Sequence, residues 1–220
     1  MNIIKSFLFV FILLIPLNLS GEMELTIARV QYDGGGDWYN DTSVIPNLCD
    51  EINARTLIEA SSEQAIVSFK NNSILNYPFL YLTGHGNISF SEEEITNIRN
   101  YLEKGGFLYI DDDYGLDEYI RRELTLVFPK KTLQELPASF PLFDSYYTFP
   151  NGLPKIHEHD GKRPRAFGIF DDFGRLIVLY TYETNISDGW ASPEVHKDPS
   201  RIRELAFKMG INIVYYVLTH

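Results

Sequence analysis

Residues 77–115 read YPFLYLTGHGNISFSEEEITNIRNYLEKGGFLYIDDDYG, and this stretch decides the fold class. Tyr77–Leu82 is an apolar run of strand length that breaks into Thr83, Gly84, His85 and Gly86. Ser91 and Glu94 then make a capping box, with Glu92 and Glu93 favoured at the positive helix end. Ile95, Ile98 and Leu102 recur at helical spacing, and Gly105 and Gly106 stop the helix. Phe107–Ile110 is the next strand, and it breaks into Asp111, Asp112 and Asp113. Strands that alternate with helices argue for a mostly parallel sheet covered on both faces.

The same alternation extends outward. Leu25–Tyr32 (LTIARVQY) reads as a first strand that ends in the glycine-rich loop Asp33–Trp38. A helix follows, with Ser43 as candidate N-cap and Pro46 in its first turn. Ala65–Phe69 is a short second strand, and Asp117–Leu124 a short helix. Pro129, Pro137, Pro141, Pro150 and Pro154 mark an irregular stretch whose aromatic content argues for packing, not disorder. Arg165–Phe170 and Arg175–Tyr182 read as two strands joined by a tight turn, an antiparallel edge to the sheet. The last helix is capped by Asp198, starts at Pro199, and turns Ile202, Leu205, Ala206, Met209 and Ile213 to the core. The expected organisation is a single α/β domain over residues 22–220, preceded by a signal peptide or N-terminal anchor over 1–21.

Lys5 followed by the apolar run Phe7–Leu17 supports that leader: the run suits a signal core and is short for a membrane span. Ser20 and Gly21 are small, but the positions two before them are Asn18 and Leu19, so cleavage and retention both stay open. No lipobox cysteine follows the run. An exported, periplasmic or envelope-associated protein is expected. The net charge of −11 argues against nucleic acid as a partner, and it leaves the N-terminal segment, if uncleaved, as the only membrane contact. The single cysteine, Cys49, falls on a helical face with Ile45, Ile52 and Thr56, the pattern of a buried small hydrophobe and not a nucleophile.

Ligand sites in open α/β sheets lie beyond the carboxyl ends of the strands. His85 sits there between two glycines, as a base, a metal ligand or an anion donor. Asp111, Asp112 and Asp113 repel one another unless a divalent cation, Arg121 and Arg122, or a capping role offsets them. Gly152–Gly161 reads GLPKIHEHDG. If it is extended, His157 and His159 face one side, half of a metal site. His196 is a further candidate for it. Asp33, Asp37, Trp38, Asp112, Asp188 and Trp190 are candidate ligand-binding residues, in a mixture of acidic and aromatic groups that suits a sugar or peptide. A phosphate loop and a Gly-x-Ser-x-Gly elbow are both missing, which disfavours nucleotide enzymes and serine hydrolases.

Five runs carry a family resemblance: YDGGGDWYND (Tyr32–Asp41), YPFLYLTGHG, GGFLYIDDDYG, GLPKIHEHDG with AFGIF (Ala166–Phe170), and DGW (Asp188–Trp190) before the final helix. With them the chain resembles the bacterial domain of unknown function 4159 family. The resemblance implies a flavodoxin-like three-layer α/β/α sheet of the class I glutamine amidotransferase-like group, in an envelope setting, with no established activity. That group places its catalytic cysteine on a tight turn after a strand, whereas here the strand ends hold His85 and the aspartates. Thiol-dependent glutamine hydrolysis is therefore not expected. The leading expectation is a noncatalytic ligand- or partner-binding domain of the cell envelope, with a membrane-associated protein as partner. The alternative is a metal-dependent hydrolase using His85, Asp111, Asp113, His157 and His159, with a divalent metal as cofactor. A purely structural subunit of a membrane assembly comes third.

Overall fold

The computed structural model describes residues 24–220. The leader expected over 1–21, with Lys5 and Phe7–Leu17, lies outside the described residues. Seven strands form one sheet: β1 (Ile27–Gln31), β2 (Ala65–Ser68), β3 (Phe79–His85), β4 (Phe107–Tyr114), β5 (Gln134–Glu135), β6 (Arg165–Phe170) and β7 (Leu176–Tyr182). Their order is β2-β1-β3-β4-β7-β6-β5. The first five in that order pair in parallel, while β6 and β5 add the expected antiparallel edge. Counted alone, the parallel strands follow 2-1-3-4-5, the flavodoxin-like order, whose switch point lies between β1 and β3.

Helices cover both faces, giving three layers. Helices α1 (Val44–Arg55) and α5 (Ser200–Thr219) pack against one face, and α2 (Glu92–Glu103) and α3 (Asp117–Val127) against the other. A single turn of helix, α4 (Pro193–His196), precedes α5. Side chains alternate across a strand, so each inner strand feeds two cores. Phe79, Tyr81, Phe107 and Tyr109 face α1 and α5, and Leu80, Leu82, Leu108 and Ile110 face α2 and α3. The proline-rich stretch is packed as expected, with Leu136, Leu142, Phe143 and Phe149 buried in the first core.

The capping box forms: Ser91 Oγ accepts from Glu94 N, and Glu94 Oε2 accepts from Ser91 N at 2.8 Å. Four other details differ from the sequence pattern. Strands β3 and β4 do not stop at Leu82 and Ile110 but run on to His85 and Tyr114. Parallel pairing of Thr83 with Asp111 and of Gly84 with Asp112 carries them through the polar residues. Helix α3 continues to Val127, because Leu124 and Val127 are both buried. Ser43 does not cap α1, since its Oγ accepts from Ser192 N at 3.0 Å. Asp198 does not cap α5, since its carboxylate meets His157.

Cys49 is fully buried beside Ile45, Leu48 and Ile52, and burial pushes its thiol up to about 12. It is an inert core residue.

Candidate functional site at the strand carboxyl ends

The three aspartates of β4 do not share one environment, because successive side chains leave a strand on opposite faces. Asp111 accepts from Ser187 N and Oγ, both at 2.7 Å, and from the Thr181 hydroxyl. Asp112 points the other way and accepts from Leu116 N at 2.9 Å, in the turn that leads into α3. Asp113 returns to the first face, where Asn40 Nδ2 donates at 2.5 Å and Asn185 Nδ2 at 2.7 Å. Of the three offsets open to this run, Arg121 and Arg122 do not serve as its counter-ions. They pair with Asp117 at 2.6 Å and Glu123 at 2.8 Å. Burial raises Asp111 to about 6 and Asp112 to about 7. Asp113 is also raised, by burial and then by the nearby Asp188.

His85 ends β3 at the switch point, and Asp37 holds it twice. The Asp37 carboxylate accepts from the His85 backbone N at 2.5 Å and lies 2.9 Å from ring Nδ1. Asp113 Oδ2 lies 3.2 Å from the same nitrogen. The approach needs a glycine before the histidine. Gly84 has φ +142°, and a Cβ there would collide with the Tyr32 hydroxyl. Burial opposes a charge on His85, but Asp113 and Asp37 outweigh it and hold the imidazole above its ordinary value. Nδ1 is thereby committed, while Nε2 makes no hydrogen bond among the described residues.

Arg29 shapes the loop after β1 from below. It is fully buried on the strand and donates to the carbonyls of Trp38 at 3.0 Å, Asn40 at 2.6 Å and Asp41 at 2.9 Å. This clamp presents Asn40 to Asp113 and Asp41 to His196. The loop after β7 is built under strain: Glu183 and Asn185 have φ of 58° and 51°. Positive φ in residues other than glycine is found disproportionately at functional sites.

A second constellation joins α4, the loop after β7 and the GLPKIHEHDG segment. His157 Nδ1 lies 2.9 Å from Asp188 Oδ2, and its Nε2 lies 3.0 Å from Asp198. His196 Nε2 lies 2.5 Å from Asp41 Oδ2 and 3.9 Å from Asp188 Oδ1. His157, Asp188 and His196 each offer a ligand atom, all within 4.8 Å of one another. Two imidazoles and one carboxylate are a donor set for zinc or a first-row transition metal. Asn185 links this group to the aspartates, since its Nδ2 donates to both Asp188 at 3.0 Å and Asp113 at 2.7 Å.

Residues 26–218 match the family described as a domain of unknown function, DUF4159. The chain belongs to the DUF4159 family. No curated protein matches the sequence.

In this DUF4159 chain the other candidates fall in varied places. His159 lies outside the three-residue group: its Nε2 meets Asn185 Oδ1 at 2.8 Å and its ring stacks on Tyr114 at 4.8 Å. The segment is irregular and not extended, so His157 and His159 turn to different partners, and His196 stands beside His157 with ring centroids 5.1 Å apart. Asp33 is at the rim, paired with Lys70 at 2.7 Å. Trp38 is half-buried at the loop, edge-on to the exposed Tyr39. Trp190 is a core residue, packed on Tyr81 and Tyr109, with Nε1 donating to Ala206 O at 2.8 Å.

The electrostatics of this candidate group suit a cation. A hydrogen bond to Asp188 outweighs burial and, with Asp198 on the other side, raises His157 to about 9. Burial works against the Asp188 charge, but His157 and Asn185 more than offset it and hold that carboxyl below its ordinary range. A proton on His157 therefore stands where a metal would neutralise the same carboxylates, and metal binding would release it. Sequence reasoning passed over Arg29, Asn40, Asp41, Asn185 and Asp198. Arg29 alone left a signal, a charged residue inside the apolar alternation of LTIARVQY. The others are polar loop residues that only the fold brings together.

Proposed function

We propose that this chain is an exported cell-envelope protein whose strand-end cleft binds a polar ligand through a divalent metal ion held by His157, Asp188 and His196. The observation that carries this reading is the convergence of three ligand atoms within 4.8 Å, each on a side chain with a second polar partner. Asp41 holds the same His196 nitrogen that faces Asp188, while Asp198 backs His157 and Asn185 backs Asp188 from outside the group. Such outer partners orient ligands and set their basicity. The ion would offer its open positions to ligand oxygens. The function is binding, noncatalytic, with a membrane-associated partner. The run of apolar residues after Lys5 supports the envelope setting.

Metal-dependent hydrolysis is the second reading, favoured by one observation. Asp37 fixes His85 through Nδ1 and leaves Nε2 uncommitted, the arrangement of an oriented general base. A panel of ester, amide and phosphoester substrates, assayed with the metal-loaded protein, separates the two. Turnover that is lost in His85→Gln with metal content unchanged supports hydrolysis. Ligand binding without turnover supports the first reading. The metal itself is tested by elemental analysis of untagged protein. His157→Ala and His196→Ala should lose the ion, and His159→Ala should keep it. Retention of the ion in both of the first two variants would overturn the assignment.

A further inference from the structure

We propose that the face formed by the amino ends of the strands, opposite the metal group, rests on a lipid bilayer, with the N-terminal apolar segment as its anchor. A cavity of about 800 Å³ opens on this face, between the starts of β1, β3 and β4 and the end of α5. Leu25, Leu57, Ile58, Leu75, Tyr77 and Leu218 are part of its lining.

Several exposed apolar side chains lie around it. Leu57 is fully exposed, and Leu75 and Leu218 are a little under half exposed. Leu126, in the last turn of α3, joins them, because α3 returns from the carboxyl end of β4. Phe173 is 98% exposed at the tip of the β6–β7 turn, and the next turn residue but one, Arg175, donates to the carbonyls of Gly105 and Gly106 on the cavity rim. Large apolar side chains grouped on one end of a protein mark an interaction face.

The position of Glu24 selects the bilayer as occupant. Glu24 lines the cavity, so the preceding chain departs from this face. The apolar run Phe7–Leu17 ends seven residues before it. Seven residues reach at most about 25 Å when extended. An anchor formed by that run would therefore hold this face close to the lipid and leave the metal group turned away from it. The inference shares only the envelope setting with the proposed function, and its test needs no metal.

Cys49 is the only cysteine and is fully buried, so introduced cysteines can be labelled selectively. The full chain is made by cell-free synthesis with phosphatidylcholine vesicles containing a minority of phosphatidylglycerol. Leu57→Cys, Phe173→Cys and Tyr39→Cys each carry an environment-sensitive fluorophore, the last at the opposite end. Expected is co-flotation with the vesicles, blue-shifted emission at positions 57 and 173, quenching there by nitroxide lipids, and neither effect at 39. Labels at 57 and 173 as water-exposed as the label at 39, or a chain that does not float with the vesicles, would overturn the proposal.

Discussion

Asp112 carries a carboxyl group that burial raises to about 7, although Leu116 N donates to it. Between about pH 4 and pH 7 the unfolded chain sheds this proton while the folded chain keeps it. The folded state therefore loses stability from this group as pH rises through that window, by on the order of 4 kcal/mol at most. Asp112→Asn keeps an acceptor for Leu116 N and removes the titration. Urea unfolding should find the variant and the parent alike near pH 4 and the variant more stable at pH 8. A gap that does not widen with pH would contradict this account of Asp112. At this scale the sequence marked His85 and the three aspartates as strand-end polar residues. It did not reveal their partners, because Asn40 and Asn185 lie on loops far apart in the chain. Nor did it reveal that strand alternation sends Asp112 away from Asp111 and Asp113.

The secondary-structure elements were legible wherever a local signal governed them. The capping box of α2, the paired glycines after it and the apolar stripe of α5 are all local, and all formed. The ends of β3 and β4 were misread because tertiary pairing, not local hydrophobicity, extends them to His85 and Tyr114. The expected caps Ser43 and Asp198 were diverted by partners from elsewhere, Ser192 and His157. Helix α5 supplies a test of packing. A Cβ on Gly210 would lie 2.7 Å from both Leu48 Cδ1 and Trp190 Cζ2. Alanine gains about 1 kcal/mol in helix propensity, but overpacking costs about 1–3 kcal/mol. Gly210→Ala should therefore destabilise the fold by about 1 kcal/mol, read as a lower urea midpoint with unchanged slope. An unchanged or higher midpoint would show that α1 and α5 are packed more loosely than described.

For the molecule as a whole, the alternation of strands and helices was enough to give a mostly parallel sheet with covered faces and an antiparallel edge. The resemblance to the family added the flavodoxin-like order. The candidate group was legible in position but not in membership: His157 converges with Asp188 and with His196, about forty residues away, and not with the nearby His159. An i, i+2 pair reads as a site only if the segment is extended, and this one is not. The fold sets the candidate metal group at one end of the sheet and the apolar face at the other, so the two can be tested apart. The measurement closest to the central claim is thermal unfolding of the untagged protein with elemental analysis, before and after chelation and on adding zinc, manganese or calcium. The account predicts a stoichiometric transition metal and, at a hundredfold excess over Kd, a rise of about 5–10 °C over the metal-free protein. The rise should vanish in His157→Ala and in His196→Ala. No bound metal and no shift in the parent, or an undiminished shift in both variants, would contradict it.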